Sequence, residues 1–134
     1  MKKKVLVLCT GNSCRSIMAE ALINAKLGEC VEAMSSGVKA SGAVNPHAKE
    51  LLQKRALWRE TYHSKVIDTV IETPFDLVIT VCDHANETCP TFPKVAKTLH
   101  VSFDDPSGKD VKEYAITLGL IEEKLLPIVK KELC

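Results

Sequence analysis

The sequence has 134 residues, 46% of them hydrophobic and 26% charged, and its formal net charge at pH 7 is +1. That length suits one domain with its own core, and the near-zero charge excludes the strongly basic surface of many nucleic-acid-binding proteins. Aromatic residues make up only 4%, which argues against a surface on which bases stack. We therefore predict a single domain, residues 1–134, that contacts no nucleic acid.

The sequence also argues against a membrane partner, because no apolar run approaches the length of a membrane span. The apolar run near the start is short and passes directly into Thr10-Gly11-Asn12, without the cleavage stretch of a secretory signal. We therefore expect a cytoplasmic protein. The near-neutral charge and the lack of an obvious exposed apolar stripe favour a monomer.

Apolar runs of strand length alternate with helical patterns along the chain. Four strands are predicted, at residues 5–8, 31–34, 77–81 and 98–101. Three helices are predicted, at residues 16–27, 46–54 and 110–133, with a weaker helical pattern at residues 64–71. Asn45 is expected to cap the second helix, and Pro127 favours a kink in the last one. This alternation predicts an α/β fold with a four-stranded parallel sheet and helices on both faces.

The segment Cys9-Thr-Gly-Asn-Ser-Cys-Arg-Ser16 lies between the first predicted strand and the first predicted helix. A small-residue loop that leads into a helix N-terminus offers unpaired N–H groups to an anion, and Arg15 adds a planar fork that grips two oxygens. We expect an oxyanion to be bound by Thr10, Gly11, Asn12, Ser13, Cys14, Arg15 and Ser16. The same field should lower the pKa of Cys9 and make it a nucleophile, whereas a lone buried cysteine before a Gly-Asn turn would be the alternative.

Ligands of parallel α/β sheets bind outside the carboxyl ends of the strands. Cys9, Cys82 and the pair Asp104-Asp105 each follow a predicted strand, so they are expected on one rim of the sheet. A carboxylic acid on that rim can protonate a departing oxygen. We assign this role to Asp105, with Asp104 as the second candidate, although an Asp-Asp-Pro segment is by itself most often a simple turn.

The chain has six cysteines, which is many for a cytoplasmic protein of this size. No C-x-x-C pair and no zinc-finger spacing is present, so no metal site is predicted, and some of the cysteines should do nucleophilic or redox work. Cys14 is expected to point into the fold and fill space. Cys30 and Cys134 are interpreted as bystanders, and His100 has no partner that the sequence identifies.

Cys82 and Cys89 flank a polar segment at the same predicted rim. If the segment were helical, seven residues would separate their α-carbons by about 10.5 Å, whereas a disulfide needs about 4.4–6.8 Å. A Cys82–Cys89 bond would therefore require the segment to unwind or loop out. This predicts a conformational change tied to redox state, the alternative being two incidental cysteines in a surface loop.

Taken together, these motifs resemble those of the thioredoxin-coupled arsenate reductases, which share the fold of low-molecular-weight protein tyrosine phosphatases. The resemblance covers essentially the whole chain. It rests on residues 9–16 followed by Met18-Ala19-Glu20, on Ser35-Ser36-Gly37, on Asn45-Pro46, on Cys82 through Cys89-Pro90, and on Phe103-Asp104-Asp105-Pro106. The loop motif alone indicates the phosphatase superfamily, and the added cysteine pair points to the reductases.

The resemblance implies a relay of three cysteines in arsenic detoxification. Cys9 attacks arsenate, Cys82 attacks the adduct and releases arsenite, and Cys89 resolves the resulting disulfide. Thioredoxin would then reduce Cys82–Cys89 as an external reductant, with a glutaredoxin–glutathione system left open, and no bound cofactor is implied. Phosphate and sulfate would compete with arsenate. Asn12 and Ser16 would orient the loop and the Cys9 thiolate.

The chain departs from the family pattern at one point. Some members bind potassium near the loop with a carboxylate where this chain has His63-Ser64-Lys65. The Lys65 ammonium is expected to take the place of the ion, with Glu20 as its partner.

Two rival functions remain open at the level of sequence. The first is a phosphatase for phosphotyrosine or small phosphoesters that uses Cys9, Arg15 and Asp105. The second is a redox sensor without catalysis, in which Cys82–Cys89 switches a partner; the oxyanion loop argues against it, since a sensor needs none.

Overall fold

A computed structural model describes residues 2–83, 85, 97–106 and 108–134. Its strands are β1 (Lys3–Cys9), β2 (Val31–Gly37), β3 (Leu77–Thr80) and β4 (Thr98–His100), and its helices are α1 (Arg15–Leu27), α2 (Pro46–Lys54) and α3 (Val111–Leu133). A single turn of 3₁₀ helix spans Ile67–Thr69.

The four strands form one parallel sheet in the order β2-β1-β3-β4. The predicted four-stranded parallel sheet is therefore confirmed. From β1 the chain goes to β2 on one side, and from β2 it crosses back to β3 on the other side of β1. The direction of the strand order therefore reverses at β1. The carboxyl end of β1, where the Cys9 loop begins, is thus the place where a ligand is expected.

Both faces of the two central strands are covered. Residues 5–9 of β1 and all of β3 are buried, although successive residues in a strand point to opposite faces. Helix α1 packs against β1 and β2 and against α3. Burial on both faces explains why these strands have continuous apolar runs rather than alternating ones.

Two of the predicted elements differ from the structure by more than two residues. β2 continues through Ser35 and Ser36 to Gly37, because its pairing with β1 extends to the Cys9–Gly37 register. The helix predicted at residues 64–71 is wrong: Val66 instead forms a bridge to Gly37, and only one 3₁₀ turn follows. The predicted N-cap is confirmed, since the Asn45 side chain accepts from the amides of His47 and Ala48.

The interpretation of Cys30 and Cys134 as bystanders is wrong. The two sulfurs are bonded, with their α-carbons 6.1 Å apart, across a sequence separation of 104. The sequence could not show this pairing, because it depends on how the end of α3 meets the start of β2.

Candidate active site

The carbonyl groups of the loop between β1 and α1 hold the loop in place by accepting hydrogen bonds from backbone amides outside it. The carbonyl oxygens of Cys9, Thr10, Gly11 and Ser13 accept from the amides of Val38, Lys39, Ser41 and Asn45 at 2.8–3.0 Å. In a trans peptide the C=O and the following N–H point in opposite directions. The amides that follow those four carbonyls therefore face the inside of the loop, as an anion site requires.

Asn12 is the internal brace of this loop. It is fully buried and has a φ of 48°, a left-handed conformation that asparagine tolerates better than most residues. Its side-chain amide donates to the hydroxyls of Ser16 (2.8 Å) and Ser35 (2.9 Å), and its Oδ1 accepts from the backbone amide of Lys65 (2.8 Å). The expectation that Asn12 and Ser16 orient the loop agrees with these contacts.

Gly37 belongs to the site, although the sequence analysis named it only as part of the Ser35-Ser36-Gly37 motif. A Cβ at this position would lie 2.5 Å from the carbonyl oxygen of Thr10 and 3.1 Å from Asn12. Since real Cβ atoms do not come so close to a backbone oxygen, the close approach of β2 to the loop requires glycine here. The Ser-Ser-Gly motif indicates this close approach only when it is known that Cys9 and Gly37 are paired in the sheet.

Arg15 joins the loop to the segment that follows β4. Its Nη1 donates to the carbonyl of Phe103 at 2.9 Å, and its Nη2 lies 3.6 Å from Oδ2 of Asp105. The Arg15 side chain is mostly buried, whereas that of Asp105 is half exposed. The guanidinium is thereby held at the mouth of the loop, and the Asp105 carboxylate is brought beside it.

A cavity of about 190 Å³ lies inside the loop, which is enough room for one small oxyanion. It is lined by Cys9, Thr10, Gly11, Asn12, Ser13, Cys14, Arg15 and Asp105. The structure therefore brings Asp105 to the loop, as expected of an acid. Asp104 instead faces a smaller cavity beside α3, together with Phe103 and Pro106.

Cys9 and Cys82 act on each other's pKa, and the two thiols differ in acidity. The pKa of Cys9 is raised to about 12, because burial and the neighbouring Cys82 outweigh the lowering by the Arg15 charge and the Thr10 amide. The predicted lowering of the Cys9 pKa is therefore wrong for this structure, because the sequence shows the loop but not the depth at which the sulfur is buried.

Cys82 is the more acidic thiol of the pair. Burial acts to raise its pKa, but hydrogen bonds from the Thr10 hydroxyl, the Ala85 amide and Cys9, together with the Arg15 charge, lower it overall. The Thr10 hydroxyl lies 3.1 Å from the Cys82 sulfur. The negative charge of the pair is thus best accommodated on Cys82, next to the nucleophile predicted from the sequence.

The other cysteines are accounted for as follows. Cys14 is buried, and burial raises its pKa to about 12, in keeping with a thiol that only fills space. Cys89 lies outside the described residues, and so does most of the polar segment that was predicted to loop out.

His100 has partners that the sequence did not reveal. Its Nδ1 hydrogen-bonds with the Thr80 hydroxyl at 2.7 Å, and its Nε2 lies 3.0 Å from Oδ1 of Asp83. Thr80 ends β3 and Asp83 directly follows Cys82, so the imidazole ties the start of the Cys82 segment to the sheet. The sequence identified no partner for His100, and the structure supplies these two.

Glu20 and Lys65 lie behind the loop in a pocket of about 380 Å³. Ser35 donates to the Glu20 carboxylate at 2.6 Å. Burial raises the pKa of Glu20, while the Lys65 charge and the Ser35 hydrogen bond oppose this; burial lowers the pKa of Lys65, and Glu20 opposes that change. The ammonium of Lys65 hydrogen-bonds to the carbonyl of His63. Each charge therefore acts on the pKa of the other group, although among the described residues no salt bridge within 4 Å joins Glu20 to Lys65.

Within the described part of the chain, no group of three or more His, Cys, Asp or Glu side chains is arranged to hold a metal ion. Among the same residues, no helix is both long enough and apolar enough to cross a membrane.

Comparison with known proteins gives consistent matches over nearly the whole chain. The family model of the low molecular weight phosphotyrosine protein phosphatases matches residues 4–133. A protein named arsenate reductase from Brevibacillus brevis is 42% identical over 113 residues, which cover 84% of each chain.

Solved structures agree with this match. An arsenate reductase from Archaeoglobus fulgidus superposes with a TM-score of 0.80 at 33% identity, covering 94% of this chain and 98% of that one. A thioredoxin-dependent arsenate reductase from Corynebacterium glutamicum superposes with a TM-score of 0.72 at 26% identity, covering 97% of this chain and 63% of that one. The resemblance inferred from the motifs is confirmed, and the chain belongs to the low molecular weight phosphotyrosine protein phosphatase family.

Proposed function

We propose that this protein reduces arsenate to arsenite, with Cys9 as the nucleophile and Cys82 and then Cys89 as resolving thiols. The observation that carries the proposal is the position of Cys82, whose sulfur lies 3.1 Å from the hydroxyl of Thr10 in the loop that begins at Cys9. A phosphatase of this fold needs one cysteine at the loop, whereas a reductase needs a second thiol within reach of the first. The names of the relatives from Brevibacillus brevis and Archaeoglobus fulgidus support the same activity.

The first step uses the loop amides and Arg15 to hold arsenate over Cys9. The Cys9 sulfur displaces one oxygen of arsenate and forms a sulfur–arsenic bond. The departing oxygen leaves as water, taking one proton from the thiol and a second from Asp105 or from arsenate itself. Asp105 suits this role because its carboxyl lines the cavity and stands beside Arg15.

The second step uses Cys82. Its thiolate attacks the Cys9 sulfur, a Cys9–Cys82 disulfide forms, and the electron pair of the sulfur–arsenic bond stays on arsenic. Arsenic(V) thereby becomes arsenic(III) and leaves as arsenite. The interactions that lower the pKa of Cys82 favour its thiolate, which is the attacking species in thiol–disulfide chemistry.

The third step regenerates Cys9. Cys89 attacks the Cys82 sulfur, so that a Cys82–Cys89 disulfide replaces Cys9–Cys82, and an external dithiol then reduces it. The Corynebacterium glutamicum relative is named for its dependence on thioredoxin, which makes thioredoxin the first reductant to test and a glutaredoxin–glutathione system the second. We place the protein in the cytoplasm as a monomer in arsenic detoxification, without a bound cofactor and with the Lys65 ammonium in place of potassium.

The test is arsenate-dependent consumption of NADPH in the presence of thioredoxin and thioredoxin reductase. The wild type should turn over steadily, and Cys89→Ser should stop after at most one turnover. Cys134→Ser is the matched control, since it removes a cysteine far from the cavity, and it should turn over like the wild type. No turnover with thioredoxin and none with glutaredoxin would overturn the proposal.

The alternative is a phosphatase, which the family match favours on its own. Both activities would share Cys9, Arg15 and Asp105, so substitution of these residues does not separate them. Cys82→Ser does: a reductase loses turnover with arsenate, while hydrolysis of p-nitrophenyl phosphate by the same variant persists.

A further inference from the structure

The disulfide between Cys30 and Cys134 lies outside the reaction proposed above. Cys30 directly precedes β2, and its carbonyl accepts from the amide of Lys3 at 3.1 Å. Cys134 directly follows α3, and its amide donates to the carbonyl of Lys130. The bond therefore joins the end of α3 to the start of β2.

The position of this bond makes it a clamp on two helices that pack against each other, α1 and α3. Helix α1 begins at Arg15, in the oxyanion loop, and ends three residues before Cys30. Helix α3 begins at Val111, shortly after the Asp105 segment, and packs along α1. The clamp thus closes the far ends of both helices, roughly 18 Å along α1 from the loop at the rise of an α-helix.

The disulfide is open to small reagents. Cys134 is exposed and Cys30 is half-buried. A pocket of about 520 Å³ adjoins the bond, and Cys30 and Cys134 both line it. Thiol–disulfide exchange needs such access, because the attacking thiolate has to reach one sulfur along the line of the bond.

The pocket is also positively charged. Its lining includes the cationic side chains of Lys26, Arg59 and Lys130 and the single carboxylate of Glu29. All four are exposed, and among the described residues none of the three cations forms a salt bridge within 4 Å. The lining side chains therefore leave an excess of two positive charges beside the disulfide, which attracts anionic thiols.

We infer that Cys30 and Cys134 form a second redox site, separate from Cys9 and Cys82, that exchanges with acidic low-molecular-weight thiols bound in the pocket beside it. In reduction, the thiolate of the small molecule attacks the exposed Cys134 sulfur and Cys30 leaves as a thiolate. A second small thiol then releases Cys134, so that one protein disulfide and two small thiols become two protein thiols and one small disulfide. Oxidation by a small disulfide is the same sequence in reverse.

The first test identifies the bond directly. The protein is equilibrated with either dithiothreitol or oxidised glutathione, its free thiols are alkylated, and tryptic peptides are weighed. The peptide of residues 27–39 and the peptide that begins at Glu132 each contain one cysteine, so their cross-link is unambiguous. The cross-link should form with oxidised glutathione and vanish with dithiothreitol; two alkylated peptides under both conditions would overturn the inference.

The second test measures the charge preference. The same cross-link is reduced by 3-mercaptopropionate, 2-mercaptoethanol or cysteamine, which carry a negative, no and a positive charge beside the thiol, and rates are compared at equal thiolate concentration. The anionic thiol should be faster than the cationic one by about threefold or more at low ionic strength, with the difference shrinking in 0.5 M salt as charges are screened. Equal rates would overturn the anionic preference.

A matched pair of variants assigns that preference to the pocket. Lys130→Glu removes a lining cation and should abolish or reverse the order of rates. Lys124→Glu makes the same change on the same helix outside the pocket, and it should keep the wild-type order. The same effect in both variants would show that net charge, not the pocket, sets the preference.

The effect of the Cys30–Cys134 bond on stability is measured separately, from the melting temperature. Closing a loop of this length restricts the unfolded chain, so the oxidised protein should melt higher than the reduced protein by about 5 °C or more. The double variant Cys30→Ser, Cys134→Ser should melt like the reduced wild type under both conditions. None of these measurements involves arsenate, so they stand or fall apart from the proposed reductase activity.

Discussion

The Thr10 hydroxyl and the Cys82 sulfur lie 3.1 Å apart, although 72 positions separate the two residues in the sequence. This contact joins the oxyanion loop to the second cysteine. It also stabilises a negative charge on Cys82. Of the interactions that lower the pKa of that thiol against the effect of burial, this contact is the largest. The oxyanion loop and the Cys82 thiol are therefore electrostatically coupled.

The first prediction concerns this contact. Thr10→Val keeps the side-chain shape and removes the hydroxyl, so the pKa of Cys82 should rise. In a Cys9→Ser background, the pH midpoint for alkylation of Cys82 by iodoacetamide should move up, and turnover with arsenate in the otherwise wild-type protein should slow. Thr10→Ser keeps the hydroxyl and is the control. A midpoint that is the same in the Val and Ser variants would contradict the assignment.

The second prediction separates two neighbouring carboxylates. Asp105 lines the oxyanion cavity and Asp104 does not. Asp105→Asn should lower kcat with arsenate by about 10²-fold or more, as expected for loss of a general acid, while Asp104→Asn should change it little. Steady-state assays of both variants decide between them, and the opposite order would transfer the role to Asp104.

Much of the fold and of the loop could be predicted because their signals are local. A strand, a small-residue loop and a helix follow one another within residues 3–27, and their order along the chain is their order in space. The missed features are long-range. The His100 imidazole meets Thr80 only when β3 and β4 pair, and the Cys30–Cys134 bond spans 104 positions.

Depth of burial is the second kind of information that the sequence lacked. The loop that follows Cys9 surrounds a cavity with room for an oxyanion, yet the pKa of Cys9 depends on how completely the sulfur is withdrawn from water. The helix predicted at residues 64–71 failed for a related reason. Val66 pairs with the end of β2, so a tertiary contact replaces the local helical pattern.

The third prediction compares two glycines. Gly37→Ala would place a Cβ 2.5 Å from the Thr10 carbonyl, whereas a Cβ at Gly119, inside α3, meets no atom within 4 Å. Gly37→Ala should therefore distort the loop and weaken phosphate binding at least about tenfold, because a shift of the amides costs about 1.4 kcal/mol or more. Gly119→Ala should leave binding unchanged and raise the free energy of unfolding by about 0.5–1 kcal/mol.

Isothermal titration with phosphate and urea denaturation measure the two effects. Equal phosphate affinity in the Gly37 variant and the wild type would show that the loop tolerates the extra methyl group.

The fourth prediction concerns Asn12. Asn12→Ala removes two buried hydrogen bonds and one partly buried hydrogen bond, and it leaves the hydroxyl groups of Ser16 and Ser35 and the Lys65 amide without this partner. The free energy of unfolding should fall by about 2–4 kcal/mol, measured by urea denaturation. At a pH where the new carboxyl is protonated, Asn12→Asp keeps the acceptor for Lys65 and has one donor in place of two, so its loss should be intermediate. A loss below about 0.5 kcal/mol in the Ala variant would contradict the bracing role.

The fifth prediction concerns the buried charge behind the loop. Burial raises the pKa of Glu20, so this carboxyl favours the folded state when protonated, and that contribution is lost as the pH rises through its folded pKa. The Lys65 charge opposes the rise and limits the loss. Lys65→Met should therefore destabilise the protein little at pH 4 and progressively more as the pH rises from 5 to 8.

A double-mutant cycle tests whether this pH dependence comes from the interaction between Glu20 and Lys65. Glu20→Gln has no charge to lose, so adding Lys65→Met to it should produce a destabilisation that no longer grows with pH.

The effect of potassium on the melting temperature is an independent measurement. Potassium should leave the wild type unchanged, because the Lys65 ammonium already supplies a positive charge that acts on Glu20, and it should raise the melting temperature of Lys65→Asp more than an equal concentration of sodium does. A wild-type protein that potassium stabilises would show that the Lys65 ammonium does not take the place of the ion.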